Sequence, residues 1–158
     1  GSGTQGLYRY AGLPTASATA TAFLTGVTGQ GTNPYDFELS ADGRTMYVAD
    51  SGIGVQKFTR ATTGSAWTLA YNLTVTGVTT NAAFGLAVDW SSNTVYWTSP
   101  TNLYKAVDGG TAGTGSSIMS IAATSGAFRG LDFVNPVPAP GAVALLGVAG
   151  LIAGRRRR

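Results

Sequence analysis

Few residues in this sequence can do chemistry, and their types narrow what that chemistry is. Seven carboxylates are spread along it (Asp36, Glu38, Asp42, Asp50, Asp89, Asp108, Asp132), with no histidine and no cysteine. Without histidine, the commonest general base and metal ligand near neutral pH is missing. Without cysteine there is no disulfide, no thiolate nucleophile and no thiolate metal site. Paired carboxylates remain, but Asp36, Glu38, Asp89 and Asp132 are scattered one or two at a time near the starts of short apolar segments. Asp42 and Asp89 stand where turn hydrogen bonds are expected instead. No catalytic, cofactor-binding or metal-ligating residue is assigned on this pattern, and the expectation is a protein that is not an enzyme. Trp67, Trp90, Trp97 and Tyr104 are the other candidates, either as exposed platforms for a glycan or as core. Asn72-Leu73-Thr74 has the form of a glycosylation acceptor, a three-residue pattern that arises easily by chance in a Thr-rich chain.

The elements that must hold these residues are strands. Valine, threonine and aromatics punctuated by glycine favour short strands and turns, and no window has the period of a soluble amphipathic helix. The chain of 158 residues is long enough for one domain with a real core. Its formal charge of +3 misleads, because Arg155, Arg156, Arg157 and Arg158 are four of its ten basic residues. The six others face seven acids, so the body is near neutral and has no basic stripe for nucleic acid.

Internal repeats organise the body. Residues 37–50, centred on Asp42-Gly43 and Tyr47, align with residues 86–99, centred on Ser92-Asn93 and Tyr96. Each reads as a short apolar strand, a polar turn and an alternating strand. A third strand follows in each, Val55-Gln56-Lys57-Phe58 and Leu103-Tyr104-Lys105-Ala106. It has an earlier counterpart in Leu7-Tyr8-Arg9-Tyr10, and the three begin 48 residues apart. Fourth strands are expected around 20–26, 67–76 and 117–122. Period-2 alternation places Met46 and Val48 on one face and Tyr47 on the other.

Four short antiparallel strands recurring every 40–50 residues or so are the pattern of β-propeller blades. The alternative on the residues alone is a β-sandwich of hairpins. Ser40-Ala41-Asp42-Gly43-Arg44-Thr45-Met46-Tyr47-Val48-Ala49-Asp50 resembles an NHL/YVTN blade. Gly85-Leu86-Ala87-Val88-Asp89-Trp90 with Tyr96-Trp97-Thr98 is similar to the YWTD blades of the LDL-receptor family, with Ser99 in place of that family's Asp. The resemblance implies an all-β, partial propeller of about three four-stranded blades over residues 1–134. These are a partial blade at 1–26, blades at 36–78 and 85–123, and a closing strand at 129–134. Because the chain opens Gly1-Ser2-Gly3, with no initiator Met or signal sequence, and holds so few blades, it is expected to be a C-terminal fragment.

The pattern changes at residue 135. Asn135-Pro136-Val137-Pro138-Ala139-Pro140 cannot supply a regular ladder and reads as a linker over 135–140. An uncharged apolar run of fourteen residues, 141–154, precedes the arginines. As a helix it is about 21 Å long, against a hydrocarbon core of about 30 Å. Its small residues and the snorkelling arginines favour a membrane helix with a cytoplasmic C-terminus, while a buried helix with a solvated basic tail is the alternative. This order resembles the PEP-CTERM sorting signal of Gram-negative bacteria, and Phe128-Arg129-Gly130-Leu131-Asp132-Phe133 before the prolines is typical of propellers that carry it. Pro138 and Pro140 match its two prolines, and Ala139 stands where the family has Glu.

The resemblance implies export and transient anchoring in the inner membrane. It also implies processing by an exosortase-type enzyme, then display at the cell surface or in an extracellular, biofilm-associated polymer. The expected activity is that of a structural or binding module, with extracellular polysaccharide or another protein as partner. The alternatives are a glycan-binding surface protein, or a lactonase- or quinoprotein-like propeller enzyme whose site lies in further blades.

Overall fold

The computed structural model describes residues 6–10, 12, 19–78, 82–122, 126–128 and 130–133. The sorting motif Pro138, Ala139, Pro140, the apolar run 141–154 and Arg155, Arg156, Arg157 and Arg158 lie outside the described residues. Within them the chain is all-β, and no helix is long and apolar enough to cross a membrane.

Ten strands follow in chain order: β1 (Gly6–Arg9), β2 (Thr21–Thr25), β3 (Pro34–Leu39), β4 (Thr45–Asp50), β5 (Gly54–Thr59), β6 (Thr68–Val75), β7 (Leu86–Asp89), β8 (Thr94–Thr98), β9 (Asn102–Val107) and β10 (Gly113–Ser120). The 48-residue spacing is kept, since β1, β5 and β9 begin at Gly6, Gly54 and Asn102. β3–β6 and β7–β10 are antiparallel four-stranded meanders, and β1–β2 is a separate two-stranded sheet.

Turn chemistry explains the sharp reversals. Between β3 and β4, Ser40 Oγ donates to Asp42 Oδ1, which also accepts the Arg44 amide, and Gly43 takes a left-handed φ of 67°. Between β7 and β8, Asp89 accepts the amide and hydroxyl of Ser91 and the hydroxyl of Ser92, with Asn93 at φ 51°. Asparagine tolerates that conformation better than most side chains.

The expected fourth strand of the second meander differs from the one observed. β10 begins at Gly113 and serves both meanders. Gly113, Thr114 and Gly115 pair parallel with Leu73, Thr74 and Val75 of β6, and Ser116–Ser120 then pair antiparallel with β9. Two glycines let the strand pass close over Leu73, where a side chain at Gly113 would fit tightly, and Trp97, where one at Gly115 would collide with the indole. The result is one nearly closed, barrel-like sheet in the order β3-β4-β5-β6-β10-β9-β8-β7, not two separate sheets.

Two cores lie on opposite faces of the first meander, as the alternation in β4 dictates. Tyr47, Ala49, Val55 and Leu73 pack against Leu86, Val88, Val95, Trp97 and Tyr104 of the second meander. Met46, Val48, Phe58 and Trp67 pack on the other side against Leu24, with Leu7 and Phe23 at the margin. The β1–β2 hairpin is only two strands wide, so Tyr35, Phe37 and Leu39 on β3 stay exposed.

No strand forms at Gly130–Phe133, the described part of the closing strand expected over 129–134. The segment packs there all the same. A Cβ on Gly85 would lie 2.7–2.8 Å from the backbone of Gly130 and Leu131, and Phe133 meets Tyr96 edge-on at 5.6 Å. Gly85→Ala is therefore expected to displace 130–133 at a cost of about 1–3 kcal/mol. Limited proteolysis checks this, through faster cleavage within 126–133.

Candidate functional site

The acids singled out from the sequence are mostly spoken for. Asp36 caps the junction of the two meanders, its Oδ2 accepting the Leu86 amide at 2.9 Å and its Oδ1 the Phe37 amide. Asp42 and Asp89 make the turn bonds already described. Those hydrogen bonds, from Ser40 and Arg44 in one case and from Ser91 and Ser92 in the other, hold both carboxyls below their ordinary range, Asp89 at about 2. Glu38 is pushed up by burial and by the charges of Asp36 and Asp132, so these three share one electrostatic neighbourhood. No acidic group among the described residues has the makings of a metal site.

Asp50 and Ser99 occupy equivalent repeat positions and do the same task with different capacity. The buried Asp50 carboxylate accepts the amides of Asn33, Gly52 and Ile53. Among the described residues Ser99 Oγ accepts only the amide of Asn102, one turn bond where Asp50 takes three.

The aromatics are mainly core. Trp97, Tyr104 and Trp67 are 1%, 5% and 7% exposed, while Trp90 is exposed and leans on Tyr47, with ring centroids 5.6 Å apart. They form no continuous exposed platform. Asn72 Oδ1 accepts from Gln56 Nε2, which ties the Asn72-Leu73-Thr74 pattern into β6.

Sequence reasoning missed a polar cluster at the seam between the meanders. Asp108 follows β9, fixed by its amide donating to Asn93 O at 2.8 Å, and its side chain reaches across to β4, β5 and β6. Lys57 Nζ donates to Asp108 Oδ2 at 2.7 Å and to Tyr71 Oη at 3.0 Å. The Tyr47 hydroxyl donates to Oδ2, the Tyr71 hydroxyl to Oδ1, and the Gly110 amide to Oδ1 at 2.8 Å. Burial raises the Asp108 pKa, but donation from Lys57, Tyr47 and Tyr71 outweighs it and holds the carboxyl down to about 2. Burial also opposes the charge on Lys57, and Asp108 and Tyr71 reverse that, so Lys57 titrates above its usual value. Burial, with the Asp108 charge, pushes both tyrosines up.

A Lys–Tyr–Asp grouping has the residue types of acid–base catalysis, yet each carboxylate oxygen here already takes two donors. The lone pairs are saturated, so the cluster holds charge in place and has no free acceptor for a substrate proton. Its one sequence signal was weak: Lys57 and Lys105 occupy matching strand positions, but only Lys57 faces the seam.

A second grouping lies on the opposite side, in a cleft of about 730 Å³ between the β1–β2 hairpin and the loop from Arg60 to Thr68. The Arg60 guanidinium sits 4.3 Å over the Trp67 ring and 5.5 Å from the Phe23 centroid, with Nε donating to Gly43 O at 2.7 Å. Arg9 approaches the same Phe23 ring at 5.7 Å. Neither arginine has a carboxylate within ion-pair distance among the described residues. Trp67 Nε1 is buried and has no acceptor among the described residues.

The fold and these two groupings define an all-β repeat protein with a saturated polar seam and one cationic cleft. Comparison with protein-family models, curated proteins and solved structures gives no match.

Proposed function

We propose that this chain is an exported β-propeller-type binding module, displayed at the cell surface or in an extracellular matrix by means of its C-terminal sorting tail. The observation that carries this reading is the abrupt change of composition that follows Phe133. Phe133 packs on Tyr96, and three residues later the composition changes to Pro136, Pro138 and Pro140. A neutral folded body thus gives way directly to a linker, an apolar run and four arginines, the order a sorting tail needs.

Support for blades comes from the two meanders in the same repeat register, stacked face to face through a common core. In this reading Pro138, Ala139 and Pro140 form the processing site, 141–154 the membrane helix, and the four arginines its cytoplasmic end. An exosortase-type enzyme removes the tail, and extracellular polymer is the partner.

The test is expression in an exosortase-bearing Gram-negative host, with a cleavable secretory signal fused ahead of Gly1. The body is expected outside the cytoplasm, with an intact mass lacking the tail. A chain without residues 137–158 is expected to be recovered more fully in the soluble fraction. Equal recovery of both, together with an uncleaved mass, would refute the reading.

A further inference from the structure

We propose that the cleft between the β1–β2 hairpin and the Arg60–Thr68 loop binds an acidic saccharide, through a carboxylate held by Arg9 and Arg60. The proposal rests on the extracytoplasmic reading, because that is where such a polymer would meet the protein.

Three observations point to an anion. First, two guanidiniums are gathered around one ring, Phe23, with no carboxylate to neutralise them among the described residues. Two unneutralised cations flanking one ring give the cleft a positive potential, which favours an entering anion. Second, Arg60 is already oriented. Stacking on Trp67 and the Nε bond to Gly43 O fix its plane, while its terminal nitrogens meet no acceptor among the described residues. A planar fork held this way loses little freedom when it takes a carboxylate in bidentate fashion. Third, the same wall contains Trp67 Nε1, the buried side-chain donor that has no acceptor among the described residues. That atom is fully buried, so a ligand oxygen reaches it only once the Arg60 side chain stacked over the indole shifts on binding.

The rest of the lining favours a sugar. Thr28, Thr63 and Thr68 border the cleft and are exposed, so their hydroxyls can exchange hydrogen bonds with ring hydroxyls. The volume of about 730 Å³ falls in the range of small-ligand clefts and suits a short oligosaccharide. An acidic peptide would satisfy the guanidiniums as well, and the titration below separates it from a sugar.

Calorimetric titration of the full 158-residue chain at low salt tests this, with three probes: a trisaccharide of galacturonic acid, neutral maltotriose and triglutamate. The uronate is expected to bind saturably, and at least about tenfold tighter than either of the others. Added salt should weaken it. Arg9→Gln and Arg60→Gln should each weaken it by about tenfold or more. Arg60 lies over a core ring and its variant could misfold, so exposed Arg9, whose replacement should leave the melting temperature unchanged, is the decisive position. Absence of uronate binding, equal binding of maltotriose, tighter binding of triglutamate, or unchanged binding by Arg9→Gln overturns the proposal. Cleft binding without export removes only the localisation, and export without binding removes only the ligand.

Discussion

Replacing Asp108 with alanine is expected to cost about 3–5 kcal/mol of folding stability, because it leaves a mostly buried ammonium without its partner. The side chains of Lys57 and Asp108 are only 17% and 3% exposed. Removing the carboxylate strands Lys57 between the Tyr47 and Tyr71 rings, 5.6 and 5.2 Å away, and takes the acceptor from both tyrosine hydroxyls. The loss is a large share of the roughly 5–15 kcal/mol that holds a domain together. Urea unfolding measures it directly. Adding Lys57→Met to the alanine variant should restore much of the stability, since the uncompensated charge is then gone. A change below about 1 kcal/mol in the single variant would place the cluster among ordinary surface pairs.

The same carboxylate sets an acid limit. Its folded pKa of about 2 lies below the ordinary 3.8, so the folded state binds its proton less readily than the unfolded chain does. The contribution is therefore complete above that ordinary value and is lost as pH falls from about 4 to about 2. Asp108→Asn should flatten that part of the stability profile while leaving the neutral-to-alkaline part parallel to the parent.

Trp97→Ala should be comparably damaging, at about 3–5 kcal/mol. The ring is 1% exposed and joins both halves of the larger core, lying against Tyr104 at 5.6 Å with Gly115 beneath it. Alanine opens a cavity at the junction of β8, β9 and β10, and the paired strands restrict how far the walls can close. Gly115→Ala attacks the contact from the other side, because a methyl there would collide with the indole. Both variants should lower the urea midpoint, and both should loosen β10 from β6. Hydrogen exchange at Gly113, Thr114 and Gly115 reads that second effect. If those amides stay protected in both, the ring is not what holds the seam.

Much of the body was legible in its local pattern. The alternation around Tyr47 assigned Met46 and Val48 to one core and Tyr47 to the other, and they do separate that way. Asp42-Gly43 and Ser92-Asn93 marked the turns because glycine and asparagine accept left-handed backbone. Asp108 was not legible. It is one acid among seven in the sequence, and its partners lie 37 to 61 residues earlier. Nothing local distinguishes an aspartate that caps its own turn, as Asp89 does, from one that reaches across a seam. The cationic cleft was hidden for the same reason, since Arg9 and Arg60 approach the same Phe23 ring only when the hairpin packs on the first meander.

The sequence by itself determined the all-β character, the 48-residue repeat, the turns, the near-neutral body and the abrupt change of composition after Phe133. These follow from side-chain period, glycine and asparagine at turns, and charge count, all of which act between neighbours along the chain. Only the tertiary structure decided that β10 bridges both meanders, that Asp36 joins β3 to β7, and that Lys57, Tyr47, Tyr71 and Asp108 form one saturated cluster. Those outcomes depend on which buried polar groups find partners when the two meanders close into one barrel-like sheet. That requirement acts across space, between residues whose separation along the chain carries no trace of it.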